Sequence, residues 1–262
     1  DSGQVFPLSH HRGDDHGYLL ALGAVLFDDA QLKDDKLPIP TELLWLLGEE
    51  GVAKYRTLKG ETGATSQGFP DAGVYVLRNA DLYLLFNASS AGLNGRGSHG
   101  HNDALSIEVS ACGSPFIVDP GTYVYTADLH QRHLFRSTAY HSTVEIDGLD
   151  QNTTIEKMPF VIGNEAAPRV WESEFGKDIE TVTAEHYGYR RLAQPVTHQR
   201  SVRFNKKRRM WSILDKFSGE GDHDLSFRFH FAPELETQVK RRDFLGDLWP
   251  DSYIVTALDK AS

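Results

Sequence analysis

Apolar and polar residues alternate along this chain with two different periods, and the change of period divides the sequence. In the first sixty residues the apolar positions cover broad helical faces, which predicts helices over Tyr18–Asp29 and Thr41–Gly48. The second helix would start at a threonine cap and end at a glycine. The charged, proline-containing segment Lys33–Pro40 predicts a loop between them. From about Phe69 onward, short alternating segments separated by turn residues are typical of β-strands.

The predicted strands follow one another without intervening helices. Turn residues at 79–81 and 112–114 predict two tight hairpins. The predicted strands are Val74–Arg78, Leu82–Asn87, Ala104–Ala111, Pro115–Asp119, Thr143–Ile146, Thr181–His186, His198–Asn205, Met210–Phe217, Leu225–Phe231 and Tyr253–Ala257. This succession favours a mainly β fold, a large antiparallel β-sandwich, over a parallel α/β sheet.

Composition narrows the class of protein further. The chain has 262 residues, 40% of them hydrophobic and 24% charged, as in globular proteins with a substantial core. No apolar run approaches the roughly 18–20 residues that span a bilayer, so no membrane association is expected. The formal net charge of −10 argues against a nucleic-acid partner, although a local basic cleft could still hold an anionic ligand.

The single cysteine, Cys112, excludes an internal disulfide and leaves the redox compartment undecided. The chain begins at Asp1 without a methionine or a signal sequence, and it ends in a predicted strand. These features lead us to expect a piece of a longer protein. The basic turn Asn205–Arg209 is expected to be a solvated hairpin tip.

The candidate chemistry centres on Gly97–Asp103, which reads GSHGHND and places His99 and His101 two residues apart. On an extended segment both side chains would project from the same face. Asp119 and His141 lie on separate predicted segments and could converge with these histidines. Neutral imidazole and carboxylate groups suit Zn²⁺. The alternative interpretation is a buried cluster of polar groups that hydrogen bond to one another.

Residues Gly95–Gln151 resemble the C-terminal core of the heparinase II/III-like polysaccharide lyases. That family carries H-x-H-x-D, then D-x-G-x-Y, then R-S-T-x-x-H, and the matching segments here are 99–103, 119–123 and 136–141. Ser142 stands where the family usually has asparagine. Weaker agreement extends to Pro233, and Arg12–Tyr18 resembles the end of the helical toroid that precedes the sandwich in the family.

The resemblance implies an organisation and an activity. Residues 1–60 would be the end of an α/α toroid and a linker, and residues 61–262 a sandwich that is truncated at its C-terminus. The implied activity is lysis of a uronic-acid-containing anionic polysaccharide, such as a glycosaminoglycan or alginate, by β-elimination. The alternatives are a non-catalytic carbohydrate-binding or structural module, or a fragment that is inactive without its toroid. A periplasmic or secreted location and a possible homodimer are further expectations.

Carried over by position, the family's zinc ligands fall on His101, Asp119 and His141, and its catalytic cleft histidine falls on His99. Strict alternation would point His99 and His101 to one side. The two roles are therefore compatible only if the loop around Gly100 turns the rings apart.

Three further residues are candidates for substrate binding. Arg136 could pair with a uronate or sulfate, or could form a structural salt bridge. Asn102 could contact substrate or brace the loop together with Asp103. Tyr123 or its neighbour Tyr125 could face the cleft or pack in the core. Four other histidines are expected in non-catalytic settings: His230 in the core or on a sheet face, and His10, His11 and His16 in a solvated loop.

Overall fold

A computed structural model describes residues 17–35, 37–60, 65–92, 97–241 and 253–259. The chain divides into two compact units, Asp1–Thr65 and Ser66–Ser262. The first unit contains helices α1 (Gly17–Phe27) and α2 (Thr41–Thr57). They pack through a small apolar core of Ala21, Ala24, Val25, Leu43 and Tyr55. The three histidines at positions 10, 11 and 16 lie outside the described residues.

Helix α2 differs from the prediction at both ends. Its N-cap is Pro40, with no side-chain capping hydrogen bond, so the expected cap by Thr41 is not formed. Gly48 has a φ of 66°, which breaks the regular helix where the sequence predicted its end. The helix nevertheless resumes and continues to Thr57, because Tyr55 on the added turns is buried in the core.

The second unit begins with a five-stranded antiparallel sheet. Its strands run in sequence order: β1 (Gln67–Phe69), β2 (Val74–Asn79), β3 (Leu82–Asn87), β4 (Ile107–Ala111) and β5 (Ser114–Ile117). The two predicted hairpins are present, with Asn79 paired to Leu82 and Ala111 paired to Ser114. Ala80 and Cys112 in these turns both have positive φ, as tight two-residue hairpins require.

A four-stranded antiparallel sheet forms the second layer. In chain order its strands are β7 (Arg169–Phe175), β8 (Ile179–His186), β9 (Val196–Asn205) and β10 (Met210–Gly219), with β7 at one edge. Two short pairs complete the unit: β6 (Val144–Ile146) with β11 (Leu225–Phe227), and β12 (Leu235–Arg241) with β13 (Tyr253–Asp259). The predicted basic turn joins β9 to β10, and its Lys207 and Arg209 form ion pairs with aspartates.

The two large sheets share one apolar core, which confirms the predicted mainly β sandwich. Leu77, Leu84, Phe86 and Ile107 of the first sheet pack with Val182, Ala184, Val202 and Phe204 of the second. Full burial of side chains of this size contributes about 1.5–3 kcal/mol each. The alternation of apolar residues along the strands therefore fixes which face of each sheet turns inward.

Several elements near the candidate chemistry were not predicted. Helix α3 (Leu129–Phe135) lies between the second and third family-like segments, 119–123 and 136–141, and Asp128 caps it by accepting a hydrogen bond from the Gln131 amide at 3.0 Å. The strand predicted over Ala104–Ala111 begins only at Ile107, and the strand predicted to reach Asp119 ends at Ile117. The candidate residues therefore lie in loops beside the strands. Within the described residues, no helix has the length and apolarity to cross a membrane.

Candidate metal centre and adjoining surface

Three loops of the second unit bring the candidate ligands together. His101 follows the turn Gly97–Gly100, Asp119 follows β5, and His141 follows a short 3-10 turn, Thr138–Tyr140, that leads into β6. Together, His101, Asp119 and His141 could hold a metal ion, because one ligand atom from each lies within 4.8 Å of the others.

The distances within this group match a coordination shell. His101 Nδ1 lies 3.1 Å from His141 Nε2, and His141 Nε2 lies 3.3 Å from Asp119 Oδ2. Ligand atoms around a tetrahedral ion with bonds of about 2.0–2.1 Å are about 3.3 Å apart. Two imidazole nitrogens and a carboxylate oxygen thus have both the chemistry and the spacing of a metal site.

Hydrogen bonds to the backbone orient two of the three groups. His141 Nδ1 donates to the carbonyl oxygen of Ser137 at 2.7 Å, which leaves the lone pair on its Nε2 for a ligand. Asp119 Oδ1 accepts a hydrogen bond from the Gly121 amide at 2.8 Å, so its other oxygen faces His141. Both contacts are of the kind that orients ligands in metal sites.

His101 is kept neutral by its surroundings. Burial, reinforced by the nearby His141 and by the positive charge of Arg132, lowers the pKa of His101 to about 3. Arg132 Nη1 lies 3.3 Å from His101 Nε2, and an arginine can only donate in such a contact. The proton of neutral His101 therefore lies on Nδ1 and is donated to Nε2 of His141, so a metal ion that binds at Nδ1 would displace this proton. Asp103, two residues further on, has a pKa raised to about 6, chiefly by burial.

His99 is not part of this three-residue group. Its side chain is exposed, and its ring centroid lies 5.3 Å from that of Tyr125 and 5.7 Å from that of Phe160. The prediction that the two histidines share an extended segment is wrong, because the Gly100 amide donates to the Gly97 carbonyl and closes a turn. Ser98 has a φ of 39° within that turn. Because of this turn, His99 and His101 do not follow the alternation of an extended strand.

Arg136 and Asn102 lie inside the protein. Arg136 is fully buried, and its Nη2 donates to the Val161 carbonyl at 2.8 Å. Burial and the neighbouring Arg132 lower its pKa to about 10. Asn102 Oδ1 accepts hydrogen bonds from the backbone and side-chain amides of Asn152 at 2.8 and 2.9 Å. In this arrangement both side chains brace loops and neither reaches the surface.

Tyr123 and His230 take contrasting positions. Tyr123 is 70% exposed, and its ring stacks on Phe135 with centroids 4.9 Å apart. His230 is partly buried, and its Nε2 lies 3.1 Å from the carbonyl oxygen of Ala139. Tyr123 therefore remains accessible to a ligand, whereas His230 holds the segment that precedes His141.

Sequence reasoning missed the residues that hold these loops. Gln151 pairs with both backbone groups of Ala104: its Oε1 accepts from the amide at 2.8 Å, and its Nε2 donates to the carbonyl at 2.9 Å. Arg132 was missed because α3 was not predicted. The recurrence of arginine at positions 132 and 136, four residues apart, was the signal available for a helix that turns both side chains to one face.

A buried ion pair joins the second sheet to the candidate metal centre. Arg200 donates to Asp215 through Nε at 2.7 Å and through Nη2 at 3.0 Å. Its Nη1 donates to the carbonyls of Leu105 and Ser142 at 2.8 and 2.9 Å. Burial by itself raises the pKa of Asp215, but hydrogen bonds from His198 and Arg200 lower it to about 2. Arg200 thereby anchors the residue that follows His141.

Comparisons with known proteins place this geometry in context. A family model for "Heparinase II/III-like, C-terminal" matches residues 61–249. The heparan sulfate lyase HepC from Pedobacter heparinus is similar in structure, with a TM-score of 0.59 and 22% identity over 83% of this chain and 30% of that chain. A heparinase III gene product has a TM-score of 0.60 and 20% identity over 86% of this chain and 32% of that one.

A further heparinase III structure has a TM-score of 0.55 and 19% identity over 77% of this chain and 34% of that chain. At these identities the structural likeness concerns the fold. The chain spans about a third of the length of these solved structures. A search of curated proteins found no match to the sequence.

Proposed function

Because this chain belongs to the heparinase II/III-like family, we propose that it contributes to a polysaccharide lyase that cleaves a uronic-acid-containing anionic polysaccharide by β-elimination. The observation that carries the proposal is the exposed His99 beside the three-residue group His101, Asp119 and His141. The similar structures include a heparan sulfate lyase, which supports an acidic glycan as substrate.

The reaction has three requirements, and His99 can serve one or two of them. The uronate carboxylate must be neutralised, the C5 proton removed, and the leaving O4 protonated. An exposed imidazole can donate a hydrogen bond to the carboxylate or act as a general acid or base. A tyrosine that completes the acid and base chemistry would come from the toroid, so this chain would carry half of an active site.

Zinc is the metal we propose for His101, Asp119 and His141. Two neutral imidazoles and a carboxylate, with the His141 ring oriented by a backbone carbonyl, are typical zinc ligands. When bound, the ion would add positive charge near the cleft and order the three loops. The ion would have a structural role, and the acid and base chemistry would be supplied by protein side chains.

The wider organisation is also part of the proposal. We propose that residues 1–60 close an α/α toroid, that residues 61–262 form a sandwich continued beyond this chain, and that the protein is periplasmic or secreted, where such polymers occur. A homodimer is compatible with this organisation. A non-catalytic glycan-binding module is the second candidate function.

The decisive experiment offers the full-length protein glycosaminoglycans, alginate and bacterial exopolysaccharides, and follows the ultraviolet absorbance of the unsaturated product. We expect His99→Ala to lower kcat about 100-fold or more, the scale of general acid–base catalysis. His130→Ala, a change at an exposed histidine on α3, serves as the matched control with unchanged kcat. Absence of product from every polymer would contradict the lyase, and binding without cleavage would favour the module.

A further inference from the structure

Three rings form a compact aromatic cluster on the surface beside the candidate metal centre: His99, Tyr125 and Phe160. His99 meets Tyr125 edge to face with centroids 5.3 Å apart, and it meets Phe160 at 5.7 Å with the planes tilted by 52°. Tyr125 and Phe160 are themselves 5.7 Å apart with a tilt of 38°. Each ring contacts the other two, so the cluster acts as one surface.

A buried guanidinium supports this aromatic cluster. Arg132 lies 5.3 Å from the Tyr125 centroid and 5.7 Å from the Phe160 centroid, within the range of cation–π contacts. Its Nε donates to the Pro159 carbonyl at 3.3 Å, and its Nη1 contacts His101 at 3.3 Å. The same side chain therefore ties the aromatic cluster to the candidate metal centre.

The aromatic cluster is accessible to solvent, although hydrogen bonds fix the backbone of the segment that contains Phe160. Tyr125 and Phe160 are each 36% exposed, and the adjoining Ile155 and Met158 are each 50% exposed. The segment 155–161 is held through its carbonyls: His133 Nε2 lies 2.8 Å from the Glu156 oxygen, and Arg136 donates to Val161. Exposed apolar side chains that are grouped in this way can serve as a binding surface.

The charge beneath the surface selects the kind of ligand. Arg132 and Arg136 are fully buried on one side of α3, and within the described residues neither guanidinium forms an ion pair. In the same part of the chain, Arg136 Nε and Nη1 have no hydrogen-bond partner. Two buried positive charges without an ion-pair partner create an electrostatic field that attracts an anion to the overlying surface.

We propose that Tyr125 and Phe160 form a stacking platform for a pyranose ring of an acidic polysaccharide and thereby position a uronate at His99. The apolar C–H face of a pyranose packs on aromatic rings, while the sugar carboxylate is drawn by the charge of Arg132 and Arg136. The inference rests on the proposed function, since it names the residues that would determine substrate binding for that reaction.

Phe160 offers the sharpest test, because a structural role and a stacking role predict different results. Phe160→Leu keeps an apolar side chain but removes the ring, and Phe160→Tyr keeps the ring. In the full-length protein we expect the leucine variant to raise KM about tenfold, the scale of one aromatic contact, with kcat changed less than about twofold. The tyrosine variant should restore the wild-type KM. Phe175→Leu is the matched control, since Phe175 is 40% exposed on strand β7, outside the cluster.

Direct binding separates this inference from the lyase proposal. Calorimetric titration with heparan sulfate, alginate and other uronate oligosaccharides measures Kd whether or not the polymer is cleaved. Weaker binding by Phe160→Leu, with Phe160→Tyr and Phe175→Leu like the wild type, supports the platform even if no product forms. Equal Kd values for all variants, or no binding by the wild type, would overturn it. A change in kcat alone, with KM and Kd unaltered, would also overturn it.

Discussion

His141 shows how a single side chain acquires a chemical role from its neighbours. The sequence identifies an imidazole beside Thr143 and Val144, but only the contact of Nδ1 with the Ser137 carbonyl decides that Nε2 carries the free lone pair. His101 differs in that burial keeps it neutral and Arg132 contacts its other nitrogen. At this scale the structure assigns tautomers and accessibility, which residue types alone leave open.

At the residue scale we predict that the proposed metal binding depends on each of the three ligands. His101→Ala and Asp119→Ala should each lower zinc affinity by more than about 100-fold, since loss of an outer partner alone costs about 10–100-fold. Elemental analysis after dialysis and competition with a chelator measure the effect. His130→Ala should retain the metal, and a wild-type zinc content in Asp119→Ala would refute the assignment.

At the scale of elements, short turns and one short helix position the chemistry. The turn Gly97–Gly100 carries His99 and immediately precedes His101. Helix α3 supplies Arg132 and His133, its C-cap is Arg136, and these side chains contact carbonyls of segment 155–161. The strands carry the turns but contribute none of the three proposed ligands. Changes in the turns should therefore affect the site more than changes at the sheet edges.

Gly97→Ala tests the turn. Gly97 has a φ of 76°, and an added Cβ would lie 2.0 Å from Ile162 Cγ2 and 2.6 Å from the Ile162 amide nitrogen. We expect a loss of about 1–3 kcal/mol in the free energy of unfolding and weaker metal binding. Chemical denaturation and chelator competition are the measurements.

Gly113→Ala provides a control with matched backbone strain. Gly113 has a φ of 82°, but an added Cβ would meet no atom within 4 Å. This variant should have a similar backbone strain but no steric clash, and its metal affinity should equal that of the wild type. Equal metal affinity in the two variants would show that the Gly97 turn does not position the ligands.

At the scale of the whole second unit, a buried series of hydrogen bonds joins the neighbouring strands β8, β9 and β10 of the second sheet. The Gly188 amide donates to His186 Nδ1, so His186 Nε2 carries the proton toward His198 Nδ1 at 3.3 Å. His198 Nε2 in turn donates to Asp215, which is paired with Arg200. Every donor meets an acceptor only when both histidines are neutral.

From this series of hydrogen bonds we predict that the stability of the protein falls as the pH is lowered. Burial lowers the pKa of His186 well below 6.5, and the nearby His198 and Arg200 lower it further. Burial also lowers the pKa of His198, although the negative charge of Asp215 opposes this shift. Below about pH 6.5 the unfolded chain therefore takes up protons that the folded chain does not. The free energy of unfolding should drop by about 1.4 kcal/mol per pH unit for His186, and the lowered pKa of His198 should add to this drop.

Urea unfolding between about pH 7 and about pH 5 measures this slope. His186→Gln removes one titrating group and should reduce the slope by about one proton. Identical slopes for the variant and the wild type would contradict the prediction. At lower pH, protonation of Asp215 should remove further stability as the pH approaches about 2, because its folded pKa lies below the unfolded value.

The sequence by itself determined most of the strand pattern, the inward faces and the family-like motifs, whereas strands β1, β7 and β12 were not predicted. These features are local: alternation with a period of two marks the strands, and His101, Asp119 and His141 are recognisable by residue type and spacing. For the same reason the two hairpins at 79–81 and 112–114 were predicted at their correct places.

Only the tertiary structure decided which side chains are enclosed and which are accessible. Arg136 and Asn102 are buried because unpredicted long-range partners, Val161 and Asn152, receive their hydrogen bonds. His99 reaches the surface because a glycine turn, stabilised by a backbone hydrogen bond, overrides the alternation of an extended segment. Contacts between residues distant in sequence determine which of these side chains are buried, and the local periodicity of the sequence does not reveal such contacts.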